Sequence, residues 1–309
     1  MQKLVPLGII TAIILGFAVL TIGTTGCRFN SDSKMPDMPA GGNPPDMALP
    51  ELKERLFSDH ASFQTLTADC KATIVCPLLR GRFQPDRPID ITLPRGRIAI
   101  AKKDAKRPAK VYLRLSRAGT KFVELIGNGS EYQVKLPGFK DSYGGNYGDP
   151  IGETTNRIHF MPDDLASVFH LGSLFFDRSL VMRAYPRRAD IIAGSVENPV
   201  AYPATWSIDS IQVTEETPIQ AWVHSSLLVD RNSQRASRLD LFRKNGTLRT
   251  RIWCLNPRMF RIGDSASTYV PTSLVIWYPP PLEKTLVRIW LSNVELNRGV
   301  PKEVFELDR

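Results

Sequence analysis

Cysteine and histidine are scarce in this chain, with four of each among 309 residues. The cysteines stand at 27, 70, 76 and 254, and the histidines at 60, 159, 170 and 224. No second cysteine pair or nearby histidine gives a zinc spacing, so no structural metal is expected. The G-x-S-x-G, H-E-x-x-H and G-x-x-x-x-G-K-[ST] signatures are all absent. Their absence excludes the common serine-hydrolase, zincin and P-loop chemistries as sequence-level readings. No segment repeats at a fixed period. No cofactor is expected, and the chain reads as non-catalytic.

Charge is missing from the N-terminus in a telling place. After Lys3, residues 4–26 carry no Asp, Glu, Lys or Arg. A short charged start followed by an apolar run is the pattern of an export signal. The run is close to the roughly 20 residues that span a bilayer as a helix, so an uncleaved anchor stays open. Gly23, Thr24, Thr25 and Gly26 precede Cys27 and resemble a bacterial lipobox, in which the cysteine is acylated and becomes the new N-terminus. Thr24 departs from the aliphatic residue usual at its place. Residues 28–50 then hold five prolines, two glycines and no aromatic beyond Phe29. Such a stretch buries too little apolar area to offset its ordering entropy. The reading is a signal peptide over 1–26, an acylated Cys27, a flexible tether over 27–49 and a folded domain over 50–309.

The 283 residues after Gly26 suit one large all-β domain or two small ones. The net charge of +9 would fit nucleic acid in a cytosolic chain. For an exported one, a solvated basic surface, anionic lipid or a cell-wall polymer fits better, and no nucleic-acid partner is expected. Cys70 and Cys76 are spaced to pair across a short loop or to sit free and buried.

The folded part opens on LPELKERLFSDH, whose Leu49, Leu52, Leu56 and Phe57 recur at helical spacing. Pro50 suits the first turn, and a helix is predicted near 50–60. Strands follow. In 110–117, Val111, Leu113 and Leu115 alternate with Tyr112, Arg114 and Ser116. In the hairpin over 121–138, turning at Asn128-Gly129, Tyr132, Val134 and Leu136 alternate with Gln133 and Lys135. Period two means a sheet with one apolar and one polar face. The stretch 142–150 reads as a Gly and Tyr loop. Pro162, Asp163 and Asp164 read as a helix start with a Leu165, Val168 and Phe169 stripe, the two carboxylates serving the helix dipole and cap. Further strands are predicted over 206–215, within 219–253 as three antiparallel runs, and over 272–279 and 285–297. Trp206, Trp222, Trp253, Trp277 and Trp290 fall on them, with core packing the default. Asn128–Ser130 and Asn245–Thr247 spell glycosylation acceptors but read as hairpin turns.

The opening LPELKERLFSDHASFQTLTADCKATI and the closing TLVRIWLSNVELNRGVPKEVFEL, with its Val300, Pro301 and Phe305, resemble the two ends of the LolA and LolB lipoprotein-carrier superfamily. That resemblance implies a mainly β fold: a strongly curved antiparallel sheet, an incomplete barrel, with a few covering helices. It implies an apolar concave face that shields acyl chains of lipoproteins or lipids. Acyl-chain candidates are Val111, Leu113, Leu115, Tyr132, Val134, Leu136, Phe169, Leu239, Leu241 and Trp253. Two predicted helices cover little of a sheet of about ten strands, so loops or a lipid are expected to close the remainder. The expected protein is a cell-envelope lipoprotein facing the periplasm, on the outer membrane, acting in lipid or lipoprotein transfer. Two alternatives stay open. One is a scaffold or sensor that binds another envelope protein through a sheet edge. The other is an enzyme on cell-wall sugar or lipid, which would need carboxylates such as Asp69, Asp141, Asp149, Glu153 or Asp209 paired in a pocket.

Anchoring is testable directly. Cys27→Ser is expected to abolish palmitate labelling and to move the protein out of the membrane fraction. Label retained by that variant would reject acylation at Cys27.

Overall fold

The structure, a computed structural model, describes residues 47–76, 89–103, 108–137, 141–147, 161–175, 178–185, 188–189, 201–202, 205–214, 220–231, 233–262, 266–279 and 285–307. The expected signal peptide, Cys27 and the expected tether up to residue 46 lie outside the described residues, as do Asp149, Glu153 and His159. No described helix is long and apolar enough to cross a membrane.

The chain begins with helix α1 (Leu49–Ala61), then strands β1 (Thr65–Cys76), β2 (Ile89–Ala101), β3 (Lys110–Arg117), β4 (Thr120–Gly127), β5 (Glu131–Leu136) and β6 (Asp141–Asn146). Two short helices interrupt, α2 (Pro162–Phe169) and α3 (Leu171–Phe175). Next come β7 (Ser179–Tyr185), the two-residue β8 (Arg188–Ala189) and β9 (Ala201–Tyr202), and β10 (Thr205–Val213). The last strands are β11 (Ala221–Asp230), β12 (Arg235–Phe242), β13 (Leu248–Ile262), β14 (Ala266–Trp277) and β15 (Leu286–Leu296), and a 3₁₀ turn (Lys302–Phe305) follows. Thirteen strands form one sheet in the order β6-β5-β4-β3-β2-β1-β15-β14-β13-β12-β11-β10-β7, while β8 and β9 pair apart. Each pairing is antiparallel. The ends β6 and β7 do not pair with each other, so the sheet stays open.

The sheet is mainly local hairpins, and one long-range pairing unites its halves. β1 lies between β2 and β15, joining the first and last strands of the chain. The turns are made by side chains as the sequence suggested. Asn128 Oδ1 accepts from the Ser130 and Glu131 N–H groups at 2.9 and 2.8 Å, and Asn245 Oδ1 from the Thr247 N–H at 3.0 Å. These are Asx turns.

Curvature follows from what α2 touches. It packs on β3 and β4 and also on β13. In the strand order β3 and β13 are five steps apart, about 24 Å across a flat sheet. A helix of eight residues is only about 12 Å long, so the sheet must bend around it. One face then closes on itself and on α1, α2 and α3. The core on that face takes Leu52 and Leu56 from α1, Leu165, Val168 and Phe169 from α2, and Leu171 and Phe175 from α3, against apolar residues of nearly all the long strands. Phe57 of α1 and Phe175 of α3 meet with ring centroids 5.7 Å apart.

The expected Gly and Tyr loop is in part strand β6, pairing with β5 from Glu131↔Asn146 to Leu136↔Asp141. The third helix, α3, and the strands β7, β8 and β9 were not foreseen. Cys70 and Cys254 are free and buried, and burial pushes both thiols up to about 12. Both are therefore inert at neutral pH.

Gly96 pairs with Cys70 beside a register shift in which two residues of β2, Pro94 and Arg95, oppose the single Lys71 of β1. A Cβ there would lie 2.5 Å from the Arg114 carbonyl oxygen and 2.7 Å from Leu115. The carbonyl belongs to the sheet ladder and cannot yield cheaply. Gly96→Ala is expected to destabilise by about 1–3 kcal/mol, seen as a lowered urea midpoint. Gly172→Ala, where a Cβ meets nothing within 4 Å, should be neutral or stabilising by up to about 1 kcal/mol.

Candidate functional site

The inner wall is built by alternation. Val111, Leu113 and Leu115 of β3 are buried while Arg114 is exposed, and Tyr132, Val134 and Leu136 of β5 follow the same period. Phe169, Leu239 and Leu241 join them in one apolar cluster. Nine of the ten acyl-chain candidates thus meet on one face. Trp253 does not. It pairs across strands with Arg238 and Val275 and packs with Val275, Leu255, Trp277 and Leu286 on the opposite face. The strand period puts it there, since Ile252 and Cys254 on either side of it point inward.

The inner wall is filled by the chain itself, contrary to the expected shortage of cover. All nine residues are buried, seven of them at no more than 1 % exposure. An apolar crevice, lined by Leu56 of α1, Val168 of α2 and by Ala236, Cys254, Tyr269 and Pro271, amounts to about 30 Å³. A ligand cavity takes roughly 300–1,000 Å³. A guest therefore needs the helices to move.

Beside the apolar contacts of Leu165, Val168 and Phe169, a polar cluster holds α2 down. Asp163 and Asp164 lie in the first turn, as the dipole reading expects, but make no side-chain cap; their hydrogen bonds are tertiary instead. Asp164 is fully buried. Its Oδ1 accepts from Arg249 Nη2, and its Oδ2 accepts from Thr250 Oγ1 at 2.7 Å. Asp163 Oδ2 lies 3.2 Å from the same guanidinium nitrogen. Adjacent helix residues thereby share one cation of β13. At the helix entry, the Met161 N–H donates to Tyr278 Oη at 3.1 Å. Burial raises the Asp164 carboxyl to about 6 although Arg249 opposes the shift. Burial and the neighbouring Arg178 and Arg249 lower His224 to about 4, keeping it neutral. Asp163 Oδ1, Arg249 Nε and His224 Nδ1 are buried without a hydrogen-bond partner among the described residues. Sequence reasoning missed this latch because Arg249 lies 85 residues from Asp164.

Three larger cavities among the described residues are lined mainly by polar side chains. One of about 630 Å³ is lined by Asp209 and Asp240 among others. Another of about 910 Å³ runs past Arg95, Arg97 and Arg114 beside the C-terminal segment. A third of about 1070 Å³ lies between β5, β6 and the 3₁₀ turn. Of the carboxylates weighed for an enzyme, Asp69 is exposed and accepts from Asn293 Nδ2 at 2.8 Å. Asp209 lines a cavity with Asp240. No group of three or more His, Cys, Asp or Glu among the described residues could hold a metal ion.

No family model and no curated protein matches the chain. Solved structures do. One is described as an outer membrane lipoprotein-sorting protein domain from Vibrio parahaemolyticus (10% identity, 82% of this chain, 95% of that chain, TM-score 0.46). A second is a DUF1329 family protein from Desulfovibrio piger (13% identity, 82% and 94%, TM-score 0.45). A third is a LolA superfamily protein from Nitrosomonas europaea (11% identity, 83% and 97%, TM-score 0.44). The third carries in its description the superfamily that the two ends of the sequence resemble. None of them assigns a ligand or a residue to this chain.

The latch generates a stability prediction. Asp164→Asn removes the fully buried one of the two carboxylates on Arg249 and leaves only Asp163, 3.2 Å from the guanidinium, as its counter-charge, and is expected to cost about 3 kcal/mol. The double variant Asp164→Leu with Arg249→Met should recover part of that loss, because the fully buried pair is replaced by apolar groups while the partly exposed Asp163 loses its cation. A urea double-mutant cycle checks this. For wild type, Asp164 should make stability fall as pH rises from its unfolded value of 3.8 towards about 6. The folded state holds the proton more tightly there, and the Asp164→Leu variant should lose that slope.

Proposed function

We propose that this chain is an envelope lipoprotein, moored through acylated Cys27, that takes a lipid or lipoprotein acyl chain between α2 and the inner wall of its sheet. It works without chemistry of its own, in lipid or lipoprotein transfer at the periplasmic side of the outer membrane. The observation that carries this reading is the way the roof is fastened. α2 and α3 are short and cover an apolar wall. The helix α2 is held by a buried charge cluster with unspent hydrogen-bonding valences, rather than by apolar contact alone. Buried ion pairs add little to stability and serve best where two arrangements must be told apart. A roof that lifts exposes Val111, Leu113, Leu115, Val134 and Leu136 together, a contiguous strip for a hydrocarbon chain. The lipoprotein-sorting description of the Vibrio parahaemolyticus structure accords with the proposal.

A second reading, a scaffold that adds a partner strand, is favoured by the open edges β6 and β7. On β7 the side chains of Ser179, Val181 and Arg183 are exposed.

Lipid extracted from the purified full-length protein, after exchange into a mild detergent, should contain acyl chains in near-stoichiometric amount. A fluorescent fatty acid should bind and be displaced by palmitate, and Asp164→Leu with Arg249→Met should speed its entry. Absence of both bound lipid and fatty-acid binding would reject the acyl-chain reading and leave the strand-adding one.

A further inference from the structure

The outer face of β10 to β13 carries polar groups that a sheet exterior does not need. Across four strands the register places Asp209, Ser226, Asp240 and Arg251 in one row. The neighbouring row holds Ser207, Leu228, Arg238 and Trp253. Ser207, Asp209, Ser226, Arg238 and Asp240 are each 9 % exposed or less. Their strand neighbours Ile208, Leu227, Leu239 and Ile252 already fill the core on the other side. Removing two carboxylates from water on the outer face costs stability unless they have work to do.

The groups are arranged as a hydrogen-bonding lattice rather than as a net charge. Asp209 Oδ1 accepts from Ser207 Oγ at 2.8 Å and from Ser226 Oγ at 2.6 Å. Arg183 stands 3.7 Å from Asp209 Oδ2. Asp240 takes a two-pronged guanidinium from Arg251, Nε to Oδ1 and Nη2 to Oδ2 at 2.8 Å each, and Arg238 Nε is 3.3 Å from its Oδ1. Each carboxylate is thus already matched by cations, and of the charged groups lining the cavity Lys244 adds one further cation, standing over the Trp222 ring. What remains on offer is a set of fixed acceptors and donors: the second oxygen of Asp209 and the serine oxygens, whose protons go to Asp209, and the outer edge of Arg251. The cavity they line holds about 630 Å³, within the range of a small-molecule site. Trp222 also lines it and is partly exposed. It offers a flat apolar ring beside the polar set, with the Lys244 ammonium 5.6 Å from the ring centroid.

We propose that this cavity is a carbohydrate-binding site. A sugar ring presents hydroxyls that both donate and accept, which the lattice can meet pairwise. Its CH face needs an apolar plate, which Trp222 supplies. The site faces away from the proposed acyl-chain wall, and it does not rest on that function.

The test uses the full-length protein in mild detergent with two defined probes, chitotriose and cellotriose, read by calorimetry and by tryptophan fluorescence. Saturable binding of at least one trisaccharide is expected, undisturbed by excess inorganic phosphate. Trp222→Ala should weaken it about tenfold or more, equivalent to about 1.4 kcal/mol. Ala221→Arg, at an exposed position of the cavity lining, should block it while leaving fatty-acid binding unchanged. Asp240→Asn should weaken it without altering palmitate displacement. No saturable binding of either sugar would overturn the proposal. So would displacement of the sugar by phosphate, which would make the cavity an anion site. Unchanged affinity in folded Trp222→Ala and Ala221→Arg proteins would overturn it as well.

Discussion

Everything in this molecule depends on hiding one face of a single sheet. Thirteen strands with a two-residue side-chain period generate an apolar surface too wide for the three short helices to cover if it lay flat. The sheet solves the problem by bending until β3, β4 and β13 reach the same helix. The bend makes α2 a central plug rather than a lid laid on top. It also explains why the chain's first and last strands must meet: the β1 and β15 pairing joins two halves whose inner faces then confront each other. Loss of that seam would expose both halves at once.

The parts of the fold governed by local chemistry were legible in the residues. Alternation in β3 and β5 named the buried side chains individually. The Asn-Gly turns marked hairpins because the Asn side chain itself caps the loop. What was illegible depended on partners distant in sequence. β6 reads as a loop because Gly144 and Gly145 argue against a strand. Yet a Cβ on Gly144 would lie 2.7 Å from the Tyr132 carbonyl oxygen, so the glycine is what lets that edge strand approach β5. The roles of Asp163 and Asp164 depend on Arg249, a residue that no helix-end rule points to. Trp253 was grouped with Leu239 and Leu241 because it is large and apolar. Its parity on β13 was readable from Ile252 and Cys254, but apolar outward residues blur the period. The outer-face cluster was missed for a related reason. Asp240 and Arg251 each look like an ordinary solvated position, and only the register shows them paired.

The two faces carry opposite chemistries without interfering. Along β12, Leu239 and Leu241 belong to the inner cluster, while Arg238 and Asp240 line the outer cavity. Along β13, Ile252 points inward and Arg251 outward. One sheet thickness separates a dry wall from a hydrogen-bonded pocket. Because the alternation is enforced by the backbone, either face can change its side chains while the other keeps its packing.

The filled state of the inner wall constrains how a hydrocarbon guest enters. Leu52, Leu56, Leu165, Val168, Phe169, Leu171 and Phe175 are the large apolar side chains that the described helices bury. Exposing seven such residues costs roughly 10–20 kcal/mol at about 1.5–3 kcal/mol each. A chain of sixteen carbons regains roughly 12 kcal/mol at about 0.8 kcal/mol per buried CH₂. The two are of the same order, so spontaneous opening onto water is negligible while exchange is nearly balanced. Entry must then proceed by substitution, each methylene sliding in as a helical side chain slides out. In such an exchange the apolar terms nearly cancel, and the small polar difference between latched and unlatched α2 decides the outcome. On the proposed function, that is where Asp164, Arg249 and Tyr278 would act, setting the bias of an equilibrium whose large terms offset one another.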